Sequence, residues 1–127
     1  MIIDTDVLIW YMRGDLNAFK AIEKLNGFYT SVVTYIELVQ GLRNKTELIE
    51  LRKAFRLWNT KILYINEEIS AKAMFYIERH YLNQSLQLAD ALIASTAITN
   101  GLPLLTGNDK QYKVIKELSI TKFKPSS

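Results

Sequence analysis

The sequence predicts an α/β fold, a single three-layer α/β/α domain built on a short, mostly parallel central sheet. Three observations point there. Brief apolar, β-branched runs alternate with longer stretches of helical periodicity, the pattern of a parallel sheet covered on both faces. The 127 residues, 14.7 kDa, fit one domain. No repeat, linker or break in composition divides the chain, so 1–124 reads as one unit and 125–127 as a frayed tail.

Taken in order, Ile2-Ile3-Asp4 is a brief buried strand ending in polar residues. Val7 to Met12 is the first helix, stopped near Gly14. Asp15 caps a second helix to Leu25, with Leu16, Phe19 and Ile22 at helical spacing, and Gly27 ends it. Phe28 to Val33 is aromatic and β-branched, a second strand. Thr34 with Glu37 has the spacing of a capping box for a helix ending near Gly41-Leu42. Thr46 caps the next helix, to about Trp58, and Lys61 to Ile65 is a third strand. Asn66 opens a long helix to about Leu82, with Ile69, Ala73, Tyr76 and Ile77 inward. Leu86 to Thr99 is a more apolar helix closed by Asn100-Gly101. Leu104 to Thr106 is a fourth strand, Lys110 to Leu118 a last helix, and Ser119 to Phe123 an edge strand.

Composition narrows the chemistry. There is no Cys, which excludes disulfide scaffolds, thiolate metal sites and Cys nucleophiles. His80 is the only histidine, so His-cluster zinc sites are excluded and any metal must be held by oxygen. It lies among Arg79 and Tyr81, far from the acids discussed below, and reads as a structural or surface residue. The sixteen Lys and Arg against thirteen Asp and Glu, net +3 with a pI near 9.1, tolerate a polyanionic partner. The N-terminus has no basic region followed by an apolar one, and no run approaches the ~20 apolar residues of a membrane span. The expectation is a cytoplasmic protein with no membrane association.

Acids placed in apolar sequence carry the functional signal. Asp4 closes the first strand, Glu37 stands in Tyr35-Ile36-Glu37-Leu38-Val39, Asp90 in Leu88-Ala89-Asp90-Ala91-Leu92, and Asp109 follows the fourth strand. In a parallel sheet, strand C-termini and the following helix N-termini converge on one crevice. These acids can therefore meet although they stand 33, 53 and 19 positions apart. Like charges in a partly dry place repel and lose hydration, which protonation or a hard divalent cation relieves. Mg²⁺ or Mn²⁺ prefers such oxygen ligands and can activate a water against a phosphodiester. Plainer roles are also open: Glu37 in the capping box, Asp90 as a cap or partner of a buried cation, Asp109 as a turn residue or helix cap.

Four segments then resemble the motifs of PIN-domain ribonucleases, particularly VapC-type toxins of type II toxin–antitoxin pairs. They are Ile2-Ile3-Asp4-Thr5-Asp6-Val7-Leu8-Ile9, Ser31 to Leu38 with Gly41-Leu42, Leu88 to Ala94, and Leu104-Leu105-Thr106-Gly107-Asn108-Asp109 followed by Tyr112. The resemblance spans almost the whole chain in order. It implies a PIN-like fold, Mg²⁺ or Mn²⁺, an RNA substrate, a homodimer and a small antitoxin inserting a segment into the catalytic groove. It makes Asp4, Glu37 and Asp90 the catalytic metal-binding acids. Many relatives carry a fourth acid immediately before the closing aromatic, where this chain has Gln111, so Asp109 or a neutral oxygen of Asn108 completes the set. Asp6 matches an often polar position, as a metal-associated group or a solvent-facing cap, and Thr5 and Thr106 position carboxylates or metal-bound waters.

Two further features bear on partners. Leu38, Val39, Leu42, Leu48, Leu51, Phe55 and Trp58 offer apolar surface for an interface or for the core, with core the expectation for Leu51 and Phe55. Arg43, Lys45, Arg52, Lys53 and Arg56 form a basic stretch for phosphates or an acidic partner. The competing functions are a PIN fold reduced to a binding module and a haloacid-dehalogenase-type phosphatase, whose nucleophile loop Asp4-Thr5-Asp6 imitates. Leu8 stands where that loop carries Thr or Val, and no Gly-x-Gly-x-x-Gly follows any strand, which excludes dinucleotide binding.

Overall fold

The computed structural model describes residues 1–82 and 85–126. The strands are β1 (Ile2–Ile3), β2 (Tyr29–Ser31), β3 (Lys61–Leu63), β4 (Leu104–Thr106) and β5 (Ile120–Lys122). They form one five-stranded sheet in the order β3-β2-β1-β4-β5, and every neighbouring pair is parallel. The helices are α1 (Thr5–Met12), α2 (Leu16–Glu23), α3 (Val32–Gln40), α4 (Lys45–Leu57), α5 (Glu67–His80), α6 (Leu88–Thr99) and a single turn, α7 (Asp109–Tyr112).

Strand alternation explains the three layers. Ile3 and Leu105 enter one core with Val7, Leu8, Ile22, Leu38, Leu51 and Phe55. Their neighbours Ile2 and Leu104 enter the other with Tyr76, Ile93, Ala97, Tyr112, Ile115 and Leu118. Adjacent residues of a strand point to opposite faces, so these two-residue apolar pairs feed both cores at once.

Several element boundaries move from their sequence positions for identifiable reasons. α1 begins at Thr5 because Asp4 caps it. α3 is capped by Ser31, whose hydroxyl accepts from Val33 N, so the Thr34–Glu37 capping box does not form and Thr34 is buried within the helix. Asn44 caps α4 in place of Thr46. On α2 the buried residues are Ala18 and Ile22, whereas Leu16 and Phe19 are about half exposed (55% and 49%). Asp15 and Asn17 set that rotation by binding the C-terminal segment: Ser126 donates its N–H and hydroxyl to Asp15 Oδ1, and Asn17 Nδ2 donates to Lys124 O. Ser126 is thus held where the sequence suggests fraying; Ser127 lies outside the described residues. The helix expected over Lys110 to Leu118 is a single turn of α-helix followed by tight turns. Ile115 N bonds to Tyr112 O and Leu118 N to Ile115 O, a three-residue spacing that buries all three side chains.

The apolar side chains of α3 and α4 are mostly absorbed internally. Leu38, Leu51 and Phe55 are buried, and Val39, Leu42 and Trp58 pack against the same core. Among the described residues no helix is long and apolar enough to cross a membrane.

Candidate metal centre

The chain leaves β1 to form β2 and β3 on one side and returns to place β4 on the other, so the strand order reverses at β1. The crevice at such a switch point opens at the strand C-termini, here between the ends of β1 and β4. Asp4 and Thr106 stand on its two lips.

Asp4 is 4% exposed, and its carboxylate is held on both oxygens. Oδ1 accepts from Thr5 N at 2.8 Å, and Oδ2 from Thr106 Oγ1 at 2.8 Å. Thr106 Oγ1 in turn accepts from Asn108 N at 2.9 Å, which is how exposed Asn108 enters the arrangement, through its backbone. Thr5 faces the next acid: its hydroxyl lies 2.7 Å from Glu37 Oε1 and 3.0 Å from Thr34 Oγ1. Glu37 therefore reaches the end of β1 from α3, released from the capping role its spacing suggested.

Asp6, in the first turn of α1, accepts from Gly107 N at 2.9 Å through Oδ2. Its Oδ1 is buried with no protein partner. Asp90, in the first turn of α6, accepts from Gln87 N at 2.9 Å in a capping box. One oxygen, Oδ2, thus serves the cap expected for it.

Tyr112 was legible in the sequence only as a closing aromatic. It is 1% exposed, and its hydroxyl faces the carboxyls of Asp4 and Asp90. Burial first, then the negative charge of Asp4 and Asp90, pushes that hydroxyl far above its ordinary range, so it acts as a donor. Asp109 is engaged elsewhere, with Lys122 Nζ 3.9 Å from its Oδ2.

Electrostatics bind the acids into one group. Burial, reinforced by the charge of Asp6, raises Asp4 to about 6. Burial raises Asp6 against its bond to Gly107, and raises Asp90 with a smaller contribution from the charge of Glu37. Among the described residues the four ion pairs involve none of Asp4, Asp6, Glu37 or Asp90. An all-oxygen donor set without a protein cation, holding a buried unpartnered carboxylate oxygen, fits a hard divalent ion. No three acidic side chains among the described residues form a ready-made cage. Mg²⁺ keeps several waters and takes only one or two carboxylates directly, so a site of this kind does not require such a cage.

Gly107 is the other residue that the motif reading passed over. A β-carbon there would stand 2.6 Å from Asp6 Oδ2 and 3.3 Å from Phe123 O. A glycine directly after a strand is the sequence signal for such a close approach.

Residues 1–117 match the model of the PIN domain family. The chain belongs to the PIN domain family. Over 121 residues this PIN domain is 30% identical to Ribonuclease VapC1 of Methanocaldococcus jannaschii, covering 94% of the chain and 84% of that protein. It is similar to a solved toxin–antitoxin complex from Klebsiella pneumoniae, with 26% identity, a TM-score of 0.76 and 95% of each chain covered. It also resembles VapBC-1 from nontypeable Haemophilus influenzae in fold, with a TM-score of 0.80 at 22% identity, covering 95% of this chain and 96% of that one.

Proposed function

We propose that this PIN domain is a divalent-metal-dependent endoribonuclease, the toxin of a pair with a small antitoxin. The observation that carries the reading is the group of acids at the β1–β4 crevice, buried Asp4 with half-buried Asp6, Glu37 and Asp90, gathered without a protein cation. The ribonuclease name of the archaeal relative supports RNA as the substrate.

In this reading Asp4, Glu37 and Asp90 would hold Mg²⁺ or Mn²⁺, one or two of them directly and the rest through its waters, with Asp6 offering a further oxygen. When bound, the ion supplies a water of lowered pKa and offsets charge on the phosphodiester. The rest is positioning. Thr106 and the Thr5 N–H fix the two oxygens of Asp4, the Thr5 hydroxyl fixes Glu37, and Tyr112 spans Asp4 and Asp90. Held carboxylates lose little freedom when a ligand arrives, which is where pre-organisation helps catalysis. Asp109 is assigned to Lys122 and Asn108 to its backbone bond with Thr106, so neither is needed as a ligand.

The proposal extends to partners and setting. Met12, Leu42, Leu51 and Ala54 line a groove of about 420 Å³ between α1 and α4 that fits an amphipathic antitoxin segment. Met74, Phe75 and Leu88, exposed at 64%, 51% and 70%, offer a face for a second copy, and sedimentation should give about twice 14.7 kDa at micromolar concentration. A monomer well above that concentration would refute the dimer. The setting proposed is the cytoplasm, where RNA is found.

The central test is RNA cleavage by the purified protein. Cleavage is expected with Mg²⁺ or Mn²⁺ and should stop in EDTA. Persistent cleavage in EDTA after further purification would sink the metal mechanism.

A further inference from the structure

A groove of about 500 Å³ runs between α2 and β5, on the opposite side of the crevice from α3. Lys20 of α2 and Lys24 at its C-cap line one wall, and Lys122 and Lys124 the other, over an apolar floor that includes Leu105 and Phe123. Among the described residues no carboxylate lines it, and Lys20, Lys24 and Lys124 take part in no ion pair. The basic stretch on α4 is different, because Arg43 is paired with Glu47 at 2.8 Å and Lys53 lies 3.9 Å from Glu50. Local compensation weakens α4 as an anion site. In the α2–β5 groove only Lys122 is paired, with Asp109 at 3.9 Å, and the other three lysines keep their charge.

The groove also leads to the acids. Lys122 is the register partner of Thr106, the residue whose hydroxyl holds Asp4. Neighbouring strands lie about 4.8 Å apart. Phe123, in the floor, abuts Gly107, whose N–H holds Asp6.

We propose that the α2–β5 groove seats the sugar–phosphate backbone of the RNA strand that flanks the bond being cut. The inference rests on the ribonuclease reading above and adds the path of the substrate. A row of ammonium groups, three of the four unpaired, beside a cluster of carboxylates suits a polyanion: the lysines attract flanking phosphates, and the metal-loaded acids take the scissile one. Specificity for sequence is not expected from such contacts, because phosphates carry none.

The test uses the full chain and a fluorescein-labelled single-stranded RNA 12-mer, with binding followed by anisotropy in EDTA and cleavage in Mg²⁺. Each lysine–phosphate contact contributes about 0.7 to the slope of log K against log salt on a single strand. The double variant Lys20→Gln/Lys24→Gln should lower that slope by about 1.4 and weaken binding about 25-fold near 0.1 M salt. KM for the 12-mer should rise with kcat unchanged, and cleavage of a dinucleotide too short to reach the groove should stay at the wild-type level. Arg52→Gln/Lys53→Gln on α4 removes the same net charge and should have a much smaller effect. Equal losses in the two variants would reduce the result to net charge and overturn the groove. Unchanged RNA affinity alongside lost binding of a poly-glutamate peptide would assign the groove to an acidic protein partner and overturn it as well. A wild-type protein that neither binds nor cuts RNA would fail the ribonuclease reading itself; a wild type that cuts RNA with an unaffected groove variant would fail only this inference.

Discussion

Replacing Gly107 with Ala tests the link between the β4 turn and the acid group. Gly107 does not lie in the left-handed region, so any residue could adopt its backbone and only space is at issue. The new β-carbon would meet Asp6 Oδ2 at 2.6 Å, a distance that carbon and oxygen do not tolerate, and Phe123 O at 3.3 Å. Either the turn shifts or Asp6 rotates away, and both break the 2.9 Å bond from Gly107 N to Asp6. A hydrogen bond to a charged group contributes about 1.5–3 kcal/mol, and over-packing a tight site costs about 1–3 kcal/mol. Because relief of the clash and loss of the bond are alternatives in part, a net loss of about 3 kcal/mol is expected. Asp6→Ala alone should cost about 1 kcal/mol, since it loses the same bond but relieves repulsion with Asp4. In the Asp6→Ala background only the Phe123 contact remains, so Gly107→Ala should then cost about 1 kcal/mol. Urea unfolding of the four proteins, metal-free, gives the cycle, and a coupling near 2 kcal/mol is expected. If the two costs add to within about 0.5 kcal/mol, Asp6 and Gly107 do not interact as described.

Two further outcomes follow from the acids. Asp90→Asn keeps an oxygen able to accept from Gln87 N, so capping should change by only a few tenths of a kcal/mol. It should abolish RNA cleavage, leave metal-free stability unchanged or slightly raised, and shrink the metal-induced rise in Tm; a variant destabilised by ~3 kcal/mol that still cuts RNA would make Asp90 structural. Asp4 rises from 3.8 to about 6 in the folded protein, so the native state holds that proton more tightly than the unfolded chain does. Its protonation therefore stabilises the fold fully below about pH 4, and that stability is lost as pH rises through about 6, by about 3 kcal/mol in total. In EDTA, urea midpoints should fall across this window for wild type and flatten for Asp4→Asn. A wild-type midpoint that rises instead would contradict the buried, unpaired state of Asp4.

The order of strands and helices was legible because it rests on local pattern. Apolar pairs such as Ile2-Ile3 and Leu104-Leu105 mark short strands, and Asp15, Asn66 and Gly101 punctuate helices wherever they occur. The acids stood out for the same reason, being charged residues in apolar surroundings, and the fold resemblance followed from their order. What local pattern could not decide was which of several plausible roles each residue takes. Thr34 and Glu37 have capping-box spacing, but Ser31 caps first, and the two side chains turn toward Thr5 instead. Leu16 and Phe19 carry the obvious stripe of α2, but bonds from Asp15 and Asn17 to the distant C-terminal segment rotate Ala18 and Ile22 inward. Tyr112 is marked locally only as a closing aromatic and Gly107 only as a glycine directly after a strand, and neither mark names a partner. Their partners, Asp4 and Asp6, lie about a hundred residues away, and only the crossover that sets β4 beside β1 brings them together. Sequence determines the charges, the periodicity and the caps, because these depend on neighbours a few residues apart. Tertiary structure decides which hydroxyl meets which carboxylate and which lysines stay unpaired, because those depend on the path of the whole chain.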